Sequence, residues 1–191
     1  GDDVYGKNTL FSYDFSEITY PRYVLRFDGV NDYVQLGDVG DIYTGDFSIE
    51  AWFKTAASGK FMSLINKRRS GITEPGYRIV IDKNSNRIQA EINNGSLTIS
   101  VMGGIHNDGN WHQAVAVCDR TNGLLKLYVD TTLEDQASLP DARCTIDTDC
   151  PLTIGSEEGK HMFWNGSIAL VRLYTCVLSE SEIKRNFYYM A

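Results

Sequence analysis

The sequence predicts one all-β domain, an antiparallel sandwich of the jelly-roll kind that ends in one short helix. Three observations predict it. Short alternating apolar runs recur from Tyr23 to Tyr174, Asn-Gly and Asp-Gly turns separate them, and only one late segment carries helix-capping signals. Alternation at period two sends side chains to opposite faces of a strand, and Asn-Gly between such runs is a strong hairpin signal.

The elements follow in order. Residues 1–22 form a polar lead-in containing Tyr and Phe, expected to add an edge strand to, or pack on, a domain of residues 23–191. Leu25 to Leu36 folds two short apolar strands over an Asp28-Gly29 turn, with Asn31-Asp32 before the second. Phe47 to Lys54 places Phe47, Ile49, Ala51 and Phe53 on one face. Arg87 to Asn93 and Leu97 to Val101 alternate and are joined by Asn94-Gly95, which reads as a hairpin. His112 to Cys118 and Leu124 to Val129 form another through Arg120-Thr121-Asn122-Gly123. Ser167 to Tyr174 is apolar on both faces, as a central strand is. Ser179 and Glu182 have the spacing of a capping box, and Leu178 with Ile183 that of a hydrophobic staple. Glu180 and Glu182 then lie at the positive end of the helix, Lys184 and Arg185 toward the negative end. The helix is expected to stop at Asn186 or Tyr188.

Composition narrows the function classes. A single domain of 191 residues buries roughly 70% of the surface its unfolded chain exposes, so the core needs no staple. No apolar run approaches the ~18 residues of a membrane helix, so membrane insertion is not expected. The net charge of −7 argues against nucleic acid, whose phosphates need clustered Lys and Arg. The one dense basic cluster, Lys67-Arg68-Arg69, reads first as a solvated loop. Gly1-Asp2-Asp3 shows no signal-peptide pattern. Cys118, Cys144, Cys150 and Cys176 make an even set that favours an oxidising compartment. Cys144 and Cys150 are close enough in sequence to form a disulfide, and four buried thiols are the alternative. Zinc and thioredoxin-like sites lack their Cys-x-x-Cys pattern. Asn94-Gly95-Ser96 and Asn165-Gly166-Ser167 fit the glycosylation acceptor pattern, although turns explain them as well.

A wider series carries a family resemblance. After the Phe27-Asp28-Gly29 corner come Phe47 to Phe53, Leu64-Ile65-Asn66-Lys67, Gly76-Tyr77-Arg78-Ile79 and Gly109-Asn110-Trp111-His112. Leu125 to Asp130, Leu152 to Gly155, Phe163 to Ile168 and Val171 to Tyr174 follow. In this order the set resembles a laminin-G-like, pentraxin-related concanavalin A-like domain over about residues 23 to 187. The resemblance implies a concanavalin-like antiparallel β-sandwich with one short C-terminal helix. It also implies a non-catalytic, lectin-like domain of a secreted or cell-surface protein that binds glycan or glycoprotein, with calcium as a possible cofactor. Such folds host many functions, so adhesion to other surface proteins is the alternative and glycoside hydrolysis a third. Two positions depart from the family: Ala169 stands where an acid is common, and Thr131 follows Asp130 where Gly is common. The first is expected to weaken any metal site near Asp28.

Site residues follow from the resemblance and from side-chain chemistry. Calcium takes six to eight hard oxygens. Glu157 and Glu158 match the metal loop of pentraxin-like members. Asp28, Asn31 and Asp32 form a second group, and Asp141, Asp147 and Asp149 a third. The loops 68–76 and 157–164 are expected to meet at a rim. A sugar suits an aromatic plate beside carboxylate and amide groups, which points to Arg69, Asn107, Asp108, Glu157, Glu158, His161 and Trp164 as ligand residues. Trp52 and Trp111 are assigned to packing. A glycosidase needs two carboxylates flanking one bond, and the chain has no Glu-x-Asp-x-x-Glu pattern. Glu50 and Glu157 are the only acids to weigh for that role, and His106, His112 and His161 fit no nucleophilic triad. The polar positions Arg87, Gln89, Glu91, Thr98 and Ser100 form either a docking surface or a solvated sheet face.

Overall fold

The structure, a computed structural model, describes residues 9–14, 24–71, 73–140 and 145–190. The first strands are β1 (Thr9–Asp14), β2 (Leu25–Asp28), β3 (Val34–Gln35) and β4 (Phe47–Lys54). β5 (Met62–Arg68), β6 (Gly76–Ile81), β7 (Arg87–Asn93) and β8 (Thr98–Ile105) run as a meander. β9 (Trp111–Asp119), β10 (Leu124–Val129) and β11 (Thr132–Ser138) form another. β12 (Thr153–Ile154), β13 (Asn165–Tyr174) and the helix α1 (Glu180–Met190) close the chain.

These strands form two antiparallel sheets. One has seven strands in the order β1-β13-β4-β9-β10-β11, with β2 sharing the β13 edge occupied by β1. The other has six, in the order β3-β12-β5-β6-β7-β8. The Asp28 corner therefore does not fold β2 onto β3. It carries the chain from one sheet to the other, since β2 pairs with β13 and β3 with β12. From the lead-in, β1 joins the seven-stranded sheet; residues 1–8 and 15–22 lie outside the described residues.

The core fills the space between the sheets. Phe47, Ile49, Ala51 and Phe53 face inward from β4, as their alternation predicted, against Ile79 and Ile81 of β6 and Leu125 and Leu127 of β10. Each fully buried Phe, Leu or Ile contributes roughly 1.5–3 kcal/mol, so this layer dominates stability. The Asn94-Gly95 turn is present, with Gly95 at φ 90° and Asn93 opposite Thr98.

The helix covers the outside of the seven-stranded sheet. Phe187 stacks on Trp52 with centroids 5.3 Å apart, beside Ala169 and Leu170. Leu178 and Ile183 pack together with Val115, Val117, Tyr128 and Tyr174, which bears out the staple. The capping box is reciprocal: Ser179 N–H donates to Glu182 Oε2 at 2.9 Å and Glu182 N–H to Ser179 Oγ at 3.4 Å. The helix outruns its expected end and reaches Met190, because Phe187 and Asn186 gain buried contacts that hold its last turns. Lys184 and Arg185 thus sit mid-helix, and the last turn has no basic residue. Ala169 is also relocated. Asp28 pairs with Asn165, whereas Ala169 lies beyond Ile168 and packs under Phe187, so an acid there would not serve the Asp28 corner.

Candidate functional site

The six-stranded sheet carries its chemistry on the outer face. The residues flanking Arg78, Tyr77 and Ile79, point into the core, so the period of two sends Arg78 outward. Register then aligns Asn66, Arg78, Glu91 and Ser100 in one row across β5 to β8. Arg68, at the end of β5, reaches the same row. Its Nη1 lies 2.9 Å from Glu91 Oε2, and Arg78 Nε lies 2.6 Å from the same oxygen. Arg78 Nη1 continues the chain to Glu157 Oε1 at 2.7 Å. The result is an alternating Arg68–Glu91–Arg78–Glu157 seam with two charges of each sign. Burial, and next the like charge of Arg78, push the Arg68 pKa down, while Glu91 and Glu157 act against that.

The rim loops meet beside the seam, as the resemblance implied. Ser70 N–H donates to Glu158 Oε2 at 3.2 Å, and Lys160 Nζ lies 3.6 Å from Glu158 Oε1. Glu158 and Gly159 both take left-handed φ, 55° and 67°, in a turn closed by Glu157 N–H on His161 O at 2.8 Å. Gly159 is required there for a second reason, since a Cβ would stand 2.6 Å from the Tyr33 ring. Arg69 is exposed and pairs with Asp149 at 2.8 Å. His161 is exposed at the end of the turn.

Several expected site residues are placed elsewhere. Trp164 is fully buried and stands edge-on to Phe53, with centroids 5.6 Å apart. It is core, not a sugar plate. Phe163, one residue earlier, is half-buried and pairs with the exposed Tyr33 at 6.4 Å. This aromatic pair was missed, because Tyr33 and Phe163 lie far apart in the chain and Trp164, beside Phe163, drew the assignment instead. Asn107 Nδ2 donates to Ala57 O, and Asp108 accepts from Asn110 and His112. None of these partners belongs to the two rim loops.

The acids expected to hold calcium do not fit it. Asp28 Oδ1 accepts the N–H groups of Val30 at 2.8 Å and Asn31 at 3.3 Å, and Asp32 Oδ2 accepts that of Asp28 at 3.0 Å. The Val30 amide, more than any other group, holds the Asp28 carboxyl below its usual range. Glu157 is spent on a guanidinium and Glu158 on a backbone amide. Asp149 serves Arg69, Asp147 is exposed, and Asp141 lies outside the described residues. A buried cation does stand among loop acids, and it is Lys67. Its buried Nζ lies 2.6 Å from Asp38 Oδ1, 2.9 Å from Asp41 Oδ1, 2.9 Å from Cys150 O and 3.2 Å from Thr148 O. The Asp41 contact is an ion pair that misses good hydrogen-bond geometry. Burial alone would lower the Lys67 pKa; Asp38 and Asp41 outweigh it, and the net shift is upward. Lys67, Arg68 and Arg69 thus turn to separate acids, Asp38 and Asp41, Glu91, and Asp149, and form no anion site.

Cys150 is a buried free thiol, pushed up to about 11 by burial and then by Glu158. Its expected partner Cys144 lies outside the described residues. The two acids weighed for hydrolysis are on opposite sides of the sandwich. Glu50 lies under α1 on the seven-stranded sheet and Glu157 at the rim of the six-stranded one, so they cannot flank one glycosidic bond.

With fold and geometry in place, the comparisons define the class. A profile of the concanavalin A-like lectin/glucanases superfamily matches residues 28–184, and the chain belongs to that superfamily. Among solved structures it is similar to the CBM40 of Ruminococcus gnavus IT-sialidase bound to α2,3-sialyllactose. The identity is 15%, the TM-score 0.68, and the match covers 94% of this chain and 99% of that one. It is also similar to the ligand-binding domain of botulinum neurotoxin serotype D in complex with N-acetylneuraminic acid, at 17% identity and TM-score 0.64, over 96% and 46% of the two chains. Mouse laminin α1 domains LG4-5 match at 19% identity and TM-score 0.60, over 78% and 40%. At these identities the likeness is one of fold. No curated protein matches the sequence significantly. No helix among the described residues is long and apolar enough to cross a membrane.

Proposed function

We propose that this domain is a non-catalytic carbohydrate-binding module of an extracellular or cell-surface protein, and that it holds its glycan at the rim without calcium. The observation that carries the reading is the pair of exposed Tyr33 and half-buried Phe163, beside the Glu158–Lys160 turn and the mouth of the arginine–glutamate seam. An aromatic pair takes the apolar face of a sugar ring, while Glu158, Lys160 and His161 offer partners to its hydroxyl rim. The seam behind is already neutralised, so it adds polar groups without a strong net field. Two of the similar structures hold sialyllactose or N-acetylneuraminic acid, which makes sialylated glycans the first ligands to try.

A glycan array with and without EDTA tests this. Binding in both states is expected, weakened about tenfold by Tyr33→Ala and again by Phe163→Ala, as loss of one ring contact of ~1.4 kcal/mol predicts. Absence of glycan binding in either state, or binding untouched by both substitutions, refutes it. Capture of a partner protein that survives deglycosylation would favour adhesion instead.

A further inference from the structure

Two histidines and three carboxylates converge where the end of β8, the start of β9 and the β10–β11 turn come together. His106 and His112 pack edge to face with centroids 4.8 Å apart. One donor atom each from His106, His112 and Asp130 lies within 4.8 Å of the other two. Every acid is pinned by a backbone amide. Asp130 Oδ1 accepts Gln113 N–H at 2.9 Å, and its Oδ2 lies 2.6 Å from His112 Nδ1. Glu134 Oε2 accepts Gly104 N–H at 2.7 Å, and its Oε1 lies 2.9 Å from His106 Nε2. Asp108 Oδ1 accepts Asn110 N–H at 2.8 Å and lies 3.1 Å from His112 Nε2.

The backbone is shaped around this group. Asp130 and Thr131 take φ of 46° and 72°, a left-handed pair that is costly for a β-branched residue. That turn is what aims Asp130 at His112. On the facing strand, a Cβ at Gly103 would collide with the Glu134 carboxylate, and one at Gly104 would stand 3.1 Å from His106 Nε2. The two glycines leave the space that the cluster fills. Strain collected at one point is a pointer to function when an actual outlier shows it.

We propose that this cluster binds a zinc-class divalent transition-metal ion through His106, His112 and Asp130. Imidazole with carboxylate suits zinc, cobalt, nickel or copper better than calcium, which prefers oxygen alone. Asp108 and Glu134 take the part of carboxylates that orient metal-bound imidazoles from behind. Both nitrogens of His112 face carboxylates, Asp130 at 2.6 Å and Asp108 at 3.1 Å. Metal binding displaces the proton shared with Asp130 to solvent, and the ion takes over its bridging role. Donor atoms in a tetrahedral site stand about 3.3 Å apart, given bonds of ~2.0–2.1 Å, so His112 Nδ1 and Asp130 Oδ2, now 2.6 Å apart, must open slightly while His106 closes on them. His106 and Asp130 have that freedom, with side chains 17% and 33% exposed.

Cobalt titration of the chelator-treated full chain tests the site. The expected result is a saturable visible d–d spectrum without a thiolate charge-transfer band, displaced by zinc and accompanied by a rise in Tm. His106→Gln should remove it, and Asp108→Asn should weaken affinity about tenfold while keeping the shape of the spectrum. No saturable spectrum, a thiolate band, or binding unchanged in His106→Gln would overturn the proposal. Should His106→Gln fail to fold, histidine ring ¹⁵N shifts of the parent protein decide: zinc must move both His106 and His112, and unmoved rings refute the site.

Discussion

The two outer faces of the sandwich each place a glutamate next to arginine in mid-sheet, and they finish it in opposite ways. On the seven-stranded sheet, Glu50 is fully buried beneath α1. Gln113 Nε2 at 2.8 Å, Tyr174 OH at 2.9 Å and Asn186 Nδ2 at 2.9 Å donate to it, with Arg172 Nη1 3.5 Å away. One of those donors comes from the helix itself, so the carboxylate fastens α1 to the sheet. On the six-stranded sheet, Glu91 is clamped by Arg68 and Arg78, whose side chains remain 6% and 12% exposed, at the edge of the rim. The difference separates a carboxylate sealed under a helix from one whose arginine partners border the rim. Paired charge alone does not tell them apart; the element lying over the face does.

The same substitution on both faces tests this contrast. Glu50→Leu keeps a similar volume and leaves several buried donors without an acceptor. At ~1–3 kcal/mol for each unsatisfied group, a loss of at least about 4 kcal/mol is expected, read as a fall in urea midpoint. Helix docking should fail first, seen as early hydrogen exchange at Ile183 and Asn186. Glu91→Leu should cost less, about 2–3 kcal/mol, below the ~3–5 kcal/mol of a fully buried broken pair, because Arg78 keeps Glu157 and some access to water. A larger loss at Glu91 than at Glu50 would reverse the assignment of the two faces.

What the sequence showed about these faces depended on how far apart in the chain the partners lie. The Asn94-Gly95 hairpin, the inward face of β4 and the Ser179–Glu182 box are local patterns, and all three were legible. The fate of Lys67, Arg68 and Arg69 was not, because Asp38, Glu91 and Asp149 come from three distant segments. Glu50 was weighed only as a candidate acid for hydrolysis, since nothing local announces that α1 will lie over it. Trp164 was misplaced by residue type, aromatic in a rim loop, when the half-buried aromatic of that loop is its neighbour Phe163. The paired Asp28 and Asp32 looked like metal ligands because their true partners are backbone amides, which every residue but proline carries and no sequence advertises.

That corner gives the smallest test and the control for both faces. Asp28 is solvent-exposed, and its carboxylate accepts amides without any arginine or helix over it. Asp28→Asn keeps an acceptor oxygen and removes only the charge. A carboxyl whose pKa is depressed by folding stabilises the protein above its unfolded value, ~3.9, and loses that contribution as pH falls through the folded value. The parent should therefore be slightly more stable than Asp28→Asn at pH 7, with the gap closing below about pH 4 in parallel urea melts. A gap that widens in acid would show that the amides do not favour the ionised form. Calcium or EDTA should leave both melts unchanged; a calcium-dependent rise in Tm lost in Asp28→Asn would make the corner a metal site and break its distinction from the Lys67 cage, where an ammonium already supplies the positive charge.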